Sequence, residues 1–428
     1  MAPPESRSSS RFDAISGYDA LLLTALLWFL AKFLRYAFPP LFEPLQAEYP
    51  VSEAALGASF TAFMLVYAAM QFPSGILGDR LGPVRVVVAG AVVAIAGSFV
   101  VAAGALAVVD APFWLIVLAM VVIGAGTGAH KTVAIGMLSR IYPARTGRVL
   151  GIHDTLGTFG GVAAPAAVAL ALRAGGAGWQ TVFLGAAIVG VLVVVAFAIR
   201  VPRRLPAAPG NSSRESDQQP AEQPTLRAYA APFRSWRFSG FVVVTLCFGF
   251  AYNGIVAFLP LYLVRQAGLT TTGASLLYGV LFAVTLVQLV TGELSDRVGR
   301  LPVVAATIGL ATAALAILVA TPAIGPVWSG IPIGTALVVG AIGLGTHGFR
   351  PVRAAHLDAL LPRALAGGGL GVVRSGLMGA GAVAPAIVGV VAERAGFRPA
   401  FALLLAVLAT ALAIVLGLWV TQCGRSAR

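Results

Sequence analysis

Basic residues inside apolar stretches are the positions where this sequence constrains chemistry most. Six lysines and arginines interrupt stretches that are otherwise apolar: Lys32, Arg35, Lys131, Arg350, Arg353 and Arg374. A cation that faces lipid costs at least about 2.5–3.5 kcal/mol, so each of these side chains is expected to face water, protein or a bound ligand. Acidic residues at similar depth are fewer: Glu43, Asp154, Glu293 and Asp358. An anionic ligand would neutralise the surplus positive charge.

The predicted ligand is therefore a small organic or inorganic anion. We expect it to bind between four basic side chains: Lys32, Arg35, Lys131 and Arg350. Further polar contacts are expected from Tyr36, Tyr252, Asn253 and Gln288. In the alternative interpretation, the basic residues late in their helices extend to the headgroups or bind anionic lipid.

Asp154 is the candidate proton carrier, because a carboxyl group shielded from water holds its proton more readily. The alternative for Asp154 is a charge near a helix N-terminus at the membrane surface. His130 and His153 could relay protons, although a packed histidine is the more common case. We find no spacing of metal ligands and no nucleophile–base arrangement, so no cofactor, metal or enzymatic activity is predicted.

Composition shows what must position these residues. The chain has 428 residues, 58% hydrophobic and 11% charged, too few charges to cover a soluble protein. The apolar blocks are long enough for membrane helices, which need about 20 residues. We predict an all-α membrane protein with spans near 18–41, 54–78, 84–108, 112–139, 148–172, 179–200, 238–263, 273–295, 302–321, 328–352, 366–391 and 397–420.

The loops predict the orientation. The net charge of +13 would suggest nucleic acid in a soluble protein, but in a membrane protein basic residues collect in cytoplasmic loops, so no nucleic-acid partner is expected. Most of the 29 basic residues fall on the side shared by both termini. The opposite side has Arg173, Arg265, Arg394 and Arg398. Both termini are thus predicted in the cytoplasm and the protein in the plasma membrane.

Two halves of the chain resemble each other. The segment from Gly75 to Gly82 aligns with that from Gly292 to Gly299. Three other regions of the first half align with regions of the second half at nearly the same separation along the chain. We therefore predict two six-helix bundles joined by a linker. The predicted domains are a cytoplasmic tail at 1–17, a bundle at 18–200, a cytoplasmic linker at 201–235, a bundle at 236–420 and a cytoplasmic tail at 421–428. Parallel repeats of this kind place a binding cavity between the halves.

The repeated segment, GILGDRLG in the first half and GELSDRVG in the second, resembles the loop signature of the major facilitator superfamily. The resemblance implies that the aspartate of each loop latches to the opposite half when the cytoplasmic gate is shut. The alternative is a helix cap whose arginine binds lipid phosphate. The gating residues implied are Gly75, Asp79, Arg80, Gly82, Gly292, Asp296, Arg297 and Gly299, with Arg374 as the partner of Asp79.

The resemblance implies a secondary active transporter with alternating access, in which one half rocks against the other. The substrate is expected to be a small solute, moved by proton symport or anion exchange. One alternative is a proton-coupled exporter of drugs or metabolites, and another is a non-transporting sensor with the same fold. Apart from the substrate and the lipid bilayer no partner is expected, and the protein is predicted to be monomeric.

Overall fold

The structure is a computed structural model. It describes residues 18–103, 112–174, 178–205, 231–360 and 366–426, with the backbone alone for 231, 366–375 and 423–426. The predicted tail 1–17, residues 427–428 of the other tail and most of the predicted linker lie outside the described residues.

The described chain is almost entirely α-helical, which confirms the predicted fold class. Because lipid offers no hydrogen bonds, the long apolar segments satisfy their backbone groups within helices. The helices are α1 (Asp19–Ala37), α2 (Phe42–Glu48), α3 (Glu53–Leu81), α4 (Pro83–Ala103), α5 (Phe113–Ile141), α6 (Thr146–Arg173), α7 (Thr181–Arg200), α8 (Trp236–Ala267), α9 (Thr271–Ala283), α10 (Val287–Val298), α11 (Arg300–Ala320), α12 (Ile333–Leu360), α13 (Ala366–Ala395) and α14 (Phe397–Ser426). Short 3₁₀ turns lie at Pro39–Leu41, Pro143–Arg145, Val201–Arg204, Ala231–Arg234 and Val284–Leu286.

Eleven helical segments of the described chain are long and apolar enough to cross a membrane. Helix α12, at the predicted tenth span, is not among them, because glycines and polar residues such as His347 and Arg350 lower its hydropathy. With α12 the described helices occupy twelve span positions, in agreement with the predicted number.

Two predicted spans contain interruptions that the sequence does not show. The first span, predicted near 18–41, contains the end of α1 at Ala37 and a 3₁₀ turn at Pro39–Leu41. The tenth was expected to begin at residue 328, where instead Val327–Trp328 pairs antiparallel with Ile331–Pro332. The hairpin turns at Ser329 and Gly330, both with positive φ, so α12 begins only after it.

The chain forms two compact units. Unit 1 comprises Met1–Arg35, Ala69–Gly161 and Gln180–Pro209, and unit 2 comprises Tyr36–Ala68, Val162–Trp179 and Gly210–Arg428. These units cut across the predicted bundles 18–200 and 236–420, which therefore remain a prediction.

In unit 1, α4 and α5 pack with their backbones in close contact. A Cβ placed on Gly126 of α5 would lie under 3.0 Å from the Gly90 carbonyl oxygen and 2.5 Å from the Ala94 nitrogen. Small residues permit such approaches between membrane helices. The pair therefore requires glycine at position 126.

Unit 2 repeats this packing between α11 and α12. A Cβ on Gly345 would lie 2.5 Å from the Thr307 oxygen and 2.7 Å from the Ala311 nitrogen. Thr307 lies 217 positions after Gly90, and Ala311 lies 217 positions after Ala94. The internal repeat seen in the sequence thus extends to equivalent backbone contacts in the two units.

A second close approach within unit 2 joins α3 to α13. A Cβ added to Gly57 of α3 would lie under 3.0 Å from the Pro385 oxygen, and one added to Gly389 of α13 would lie under 3.0 Å from the Glu53 oxygen. The Ala386 N–H, next to Pro385 within α13, donates to Thr61 Oγ1 at 3.0 Å. The two helices are therefore joined by tight packing and by a hydrogen bond.

Candidate functional site

Three helices of unit 1 bring polar side chains together. Helix α1 supplies Trp28 and Lys32, which are four residues apart and so share a face. Helix α5 supplies Lys131, and α6 supplies Asp154 and Thr158, also four residues apart. We call these five residues, with His130 and His153, the unit 1 cluster.

Asp154 is the acceptor of this cluster. The indole N–H of Trp28 donates to Asp154 Oδ1 at 3.2 Å, and Lys131 Nζ lies 3.4 Å from the same oxygen. The Asp154 side chain is 50% exposed and the Lys131 side chain 26%. Asp154 lies in the third turn of α6, which begins at Thr146, so its carboxylate has a side-chain cation as partner rather than the helix N-terminus.

Lys32 reaches the same helix one turn further along. Its Nζ donates to Thr158 Oγ1 at 3.3 Å, and that hydroxyl donates to the Asp154 carbonyl oxygen at 2.9 Å. The ammonium groups of Lys32 and Lys131 each lie 5.1 Å from the centroid of the Trp28 ring. A cation at this distance from an indole gains about 0.5–2 kcal/mol, depending on its desolvation. Both ammonium groups thus lie within cation–π distance of the Trp28 ring.

Two buried histidines complete the cluster. The rings of His130 and His153 lie 5.9 Å and 6.1 Å from that of Trp28, nearly parallel to it, and 5.8 Å from each other. The structure therefore brings together the two histidines considered as a proton relay, beside Asp154.

Glycines on α6 let α1 come this close. A Cβ on Gly157 would overlap the Trp28 ring, and one on Gly160 would lie 2.9 Å from the Phe33 nitrogen. The glycines of the fifth predicted span thus have a packing role.

The basic residue Arg350 lies in unit 2. Its guanidinium carbon is 4.5 Å from the centroid of the Tyr252 ring, and that ring meets His347 edge-on at 6.1 Å. Gln288 donates to Thr285 Oγ1 at 2.6 Å, and Thr285 Oγ1 lies 3.2 Å from His347 Nδ1. Arg350, Tyr252 and Gln288 thus belong to one polar chain, connected through His347 and Thr285.

The remaining predicted binding residues have separate surroundings. Arg35 lies in the last turn of α1 and is half-buried. The Tyr36 ring packs 4.4 Å from that of Phe282. Asn253 donates to the Gly249 oxygen of its own helix at 2.9 Å.

The predicted gating loops are tight turns. Gly82 and Gly299 have φ of 91° and 94°, a region that favours glycine, and each separates two long helices. Gly75, Arg80, Gly292, Asp296 and Arg297 lie in the helices before these turns.

The acidic residues of these loops have different environments. Asp79 Oδ1 lies 3.6 Å from Arg140 of α5, and both side chains are exposed, so the pair contributes at most about 1 kcal/mol. Arg297 pairs with Glu293 one turn earlier. Asp296 is exposed and lines a cavity of unit 2. The proposed partner of Asp79, Arg374, is on α13, but its side chain lies outside the described residues.

Trp28 and Thr158 are the cluster members that the sequence analysis missed. Their spacing was a usable signal, since each lies four residues from a charged member of the cluster. Within the described ranges, no group of three or more histidine, cysteine, aspartate or glutamate side chains could hold a metal ion.

Comparison with known proteins identifies relatives. A probable sulfoacetate transporter, SauU, of Cupriavidus necator is 27% identical over 294 residues, which cover 64% of this chain and 63% of that protein. The ectoine/proline transporter ProP of Corynebacterium glutamicum is 25% identical over 323 residues, 70% of this chain and 62% of that protein. The chain thus spans less than two thirds of the length of each of these relatives.

A solved structure shares the fold. A bacterial homologue of the human lysosomal transporter Spinster, in an inward-facing and unoccupied conformation, matches 96% of this chain and 97% of its own with a TM-score of 0.75 and 17% identity. The family model of the Major Facilitator Superfamily matches residues 24–346, well over half of the chain. This multi-pass membrane protein therefore belongs to the major facilitator superfamily.

Proposed function

We propose that the chain is a secondary transporter that moves a small organic anion across the membrane. Lys32 and Lys131 lie near one indole, with Asp154 as the carboxylate that contacts Lys131. Two ammonium groups and one carboxylate give the cluster one unit of positive charge. A carboxylate or sulfonate that entered it would meet donors that are already positioned. This excess of base is the observation that supports the proposal.

One of the two relatives favours the same class of substrate. The name of the Cupriavidus necator protein specifies sulfoacetate, a small molecule with two acidic groups. The Corynebacterium glutamicum protein is named for ectoine and proline, which are zwitterions. A zwitterion is the second candidate, because the half-exposed pair of Lys131 and Asp154 offers one charge of each sign.

We assign proton coupling to Asp154. Protonation of its carboxyl group would break the contact with Lys131 and leave that ammonium available to the substrate. Proton binding and anion binding would then favour each other, which is the requirement for symport. His130 and His153 are the neighbouring groups through which a proton could pass.

Residues 36–68 supply the proposed gate on the outer side. Thr271 Oγ1 donates to Glu43 Oε2 at 2.7 Å, and Arg265 donates to Gln46 Oε1 at 3.3 Å, both within unit 2. These contacts, with the close packing of α3 on α13, are the ones that would separate when this gate of unit 2 opens. We further propose that the protein lies in the plasma membrane with both termini in the cytoplasm, since its loops follow the positive-inside rule.

The test is uptake into liposomes that contain the purified full-length protein. Labelled sulfoacetate serves as the anion and labelled proline as the zwitterion, each with and without an inward proton gradient. We expect sulfoacetate uptake to exceed proline uptake and to rise with the gradient. Lys32→Ala and Lys131→Ala should each weaken the apparent affinity for the anion about tenfold or more, because each removes a charge-assisted contact.

Arg148→Ala is the matched control. It removes one positive charge from α6, where Arg148 is exposed at the start of the helix. Its uptake should equal that of the unmodified protein. Anion uptake by both lysine variants at the level of this control would refute the anion site. Preferential uptake of proline would select the zwitterion, and binding without uptake would select the sensor.

A further inference from the structure

Unit 2 contains a cavity that the proposed transport site does not use. It has a volume of about 800 Å³ and lies where the start of α8, the α10–α11 turn and the ends of α12 and α14 meet. Its polar lining includes Arg237, Asp296, Arg300, His356 and Gln422. By the charge distribution of the loops, this end of the unit is the predicted cytoplasmic end.

The charge of this cavity is unbalanced. Arg237 and Arg300 are half-buried, and among the described residues neither has a carboxylate oxygen within the 4.0 Å of an ion pair. Asp296 lines the cavity too, but is mostly exposed and likewise forms no ion pair in the described chain. Two guanidinium groups against one carboxylate leave a positive site in a concave surface.

The backbone adds to this positive character. Arg237 and Arg300 lie in the first turns of α8 and α11, at whose N-caps, Ser235 and Gly299, no side chain accepts a hydrogen bond from the helix. Free N–H groups at a helix start attract anions. The two arginines therefore extend toward the cavity from helix ends that themselves favour negative charge.

The rest of the lining is apolar. Val298, Pro302, Leu360 and Trp419 share the cavity with the arginines, and Val298 is 54% exposed. A surface that combines guanidinium groups with apolar side chains at a membrane edge suits a molecule with a phosphate and an apolar part. Arginine binds phosphate with paired hydrogen bonds.

We propose that this cavity binds the phosphate of an anionic phospholipid headgroup from the cytoplasmic leaflet. Arg237 and Arg300 hold the phosphate, and Trp419 and Val298 contact the glycerol and the first acyl carbons. This site is separate from the unit 1 cluster, so it does not depend on the substrate proposed above. The chemistry recognised is the phosphate, which a lipid or free phosphate could supply.

The test measures lipid binding to the purified full-length protein by native mass spectrometry. Phosphatidylglycerol is compared with phosphatidylcholine, and inorganic phosphate is added as a competitor. We expect the unmodified protein to retain phosphatidylglycerol more strongly. The double variant Arg237→Gln, Arg300→Gln should bind phosphatidylglycerol at least about tenfold more weakly. Each basic residue near an anionic headgroup contributes binding free energy, and both are lost in this variant.

The control removes the same charge elsewhere. Arg148→Gln with Arg203→Gln changes two exposed arginines of the same predicted side and should leave phosphatidylglycerol binding unchanged. Both double variants should unfold at the temperature of the unmodified protein. If the glutamine pair does not fold, Arg237→Lys with Arg300→Lys replaces it in the binding measurement, because lysine lacks the paired hydrogen bonds of arginine to phosphate.

Unchanged lipid binding in the cavity variant, or an equal loss in the control, would overturn the proposal. Displacement by inorganic phosphate, seen only with the arginines present, would support the phosphate site and assign it to soluble phosphate. Retention of lipid in the presence of inorganic phosphate would assign it to the membrane.

Discussion

The packing of α13 on residues 53–57 allows a sharp prediction from one added methyl group. Gly389→Ala places a Cβ under 3.0 Å from the Glu53 oxygen, 3.1 Å from the Glu53 carbonyl carbon and 3.2 Å from Ala54 Cα. All three atoms are backbone, so no side-chain rotation relieves the overlap. The helices must move apart, and we expect this variant to loosen the proposed outer gate.

The magnitude follows from the cost of overpacking. An extra methyl group in a well-packed core costs about 1–3 kcal/mol. In a two-state equilibrium this corresponds to a shift of about 5–150-fold. Glycine to alanine in a helix interior also gains up to about 1 kcal/mol from helix propensity, so a control must carry the same gain.

Gly379→Ala supplies that control. It lies on the same helix, ten residues earlier, and a Cβ there meets no atom within 4 Å. The two variants share the change in helix propensity and differ in the overlap. Their difference therefore reports the contact between α13 and α3.

The assay is thiol labelling of the purified protein in lipid nanodiscs, where both faces are accessible. Ser59→Cys, at a position only 6% exposed between Gly57 and Thr61, which contact Pro385 and Ala386 of α13, reports opening in a background with Cys247 and Cys423 replaced by serine. We expect maleimide to label Cys-substituted Ser59 about 5–150-fold faster with Gly389→Ala, and within about twofold of the parent with Gly379→Ala. Equal labelling rates for the two glycine variants would refute the reasoning.

Three further predictions concern other parts of the chain. Asp154→Asn should abolish the stimulation of uptake by a proton gradient, measured in liposomes. Its melting temperature should change little, because a part-exposed ion pair contributes at most about 1 kcal/mol. Undiminished stimulation would exclude Asp154 as the proton carrier. Gly160→Ala should lower the melting temperature, because its Cβ would overlap the α1 backbone. Gly151→Ala, whose Cβ meets no atom within 4 Å, should not lower it. Equal melting temperatures for the two variants would contradict the close packing of α6 on α1. Asp79→Cys with Arg374→Cys should form a crosslink in one conformation of the transport cycle, and absence of the crosslink with and without substrate would remove the proposed latch.

The fold could be predicted from the sequence because hydropathy acts over whole segments. A stretch such as Phe397 to Val420 has almost no charge, and in lipid a helix alone satisfies its backbone. Hydropathy does not mark where a helix pauses, so the hairpin before α12 was missed. That hairpin depends on the positive φ of Ser329 and Gly330, a local preference that an apolar average does not register.

The site could be predicted only in part. Lys32, Lys131 and Asp154 stand out as charges in apolar surroundings, and the structure brings these three together. The partner of Lys131 could not be chosen from the sequence, because contacts between α5 and α6 depend on helix rotation. Trp28 escaped notice because an indole in an apolar helix resembles ordinary core packing until its N–H is seen to meet a carboxylate.

The 3₁₀ turn at Val284–Leu286 divides one membrane-crossing segment into two rods, α9 of 13 residues and α10 of 12. Here the regular ladder of backbone bonds is interrupted, and the Gln288 amide donates to the Thr285 carbonyl oxygen at 3.1 Å. A long helix bends at least cost where its ladder is already broken. A bend of this segment would therefore fall at the 3₁₀ turn, and it would move Gln288 and the following turn relative to α9.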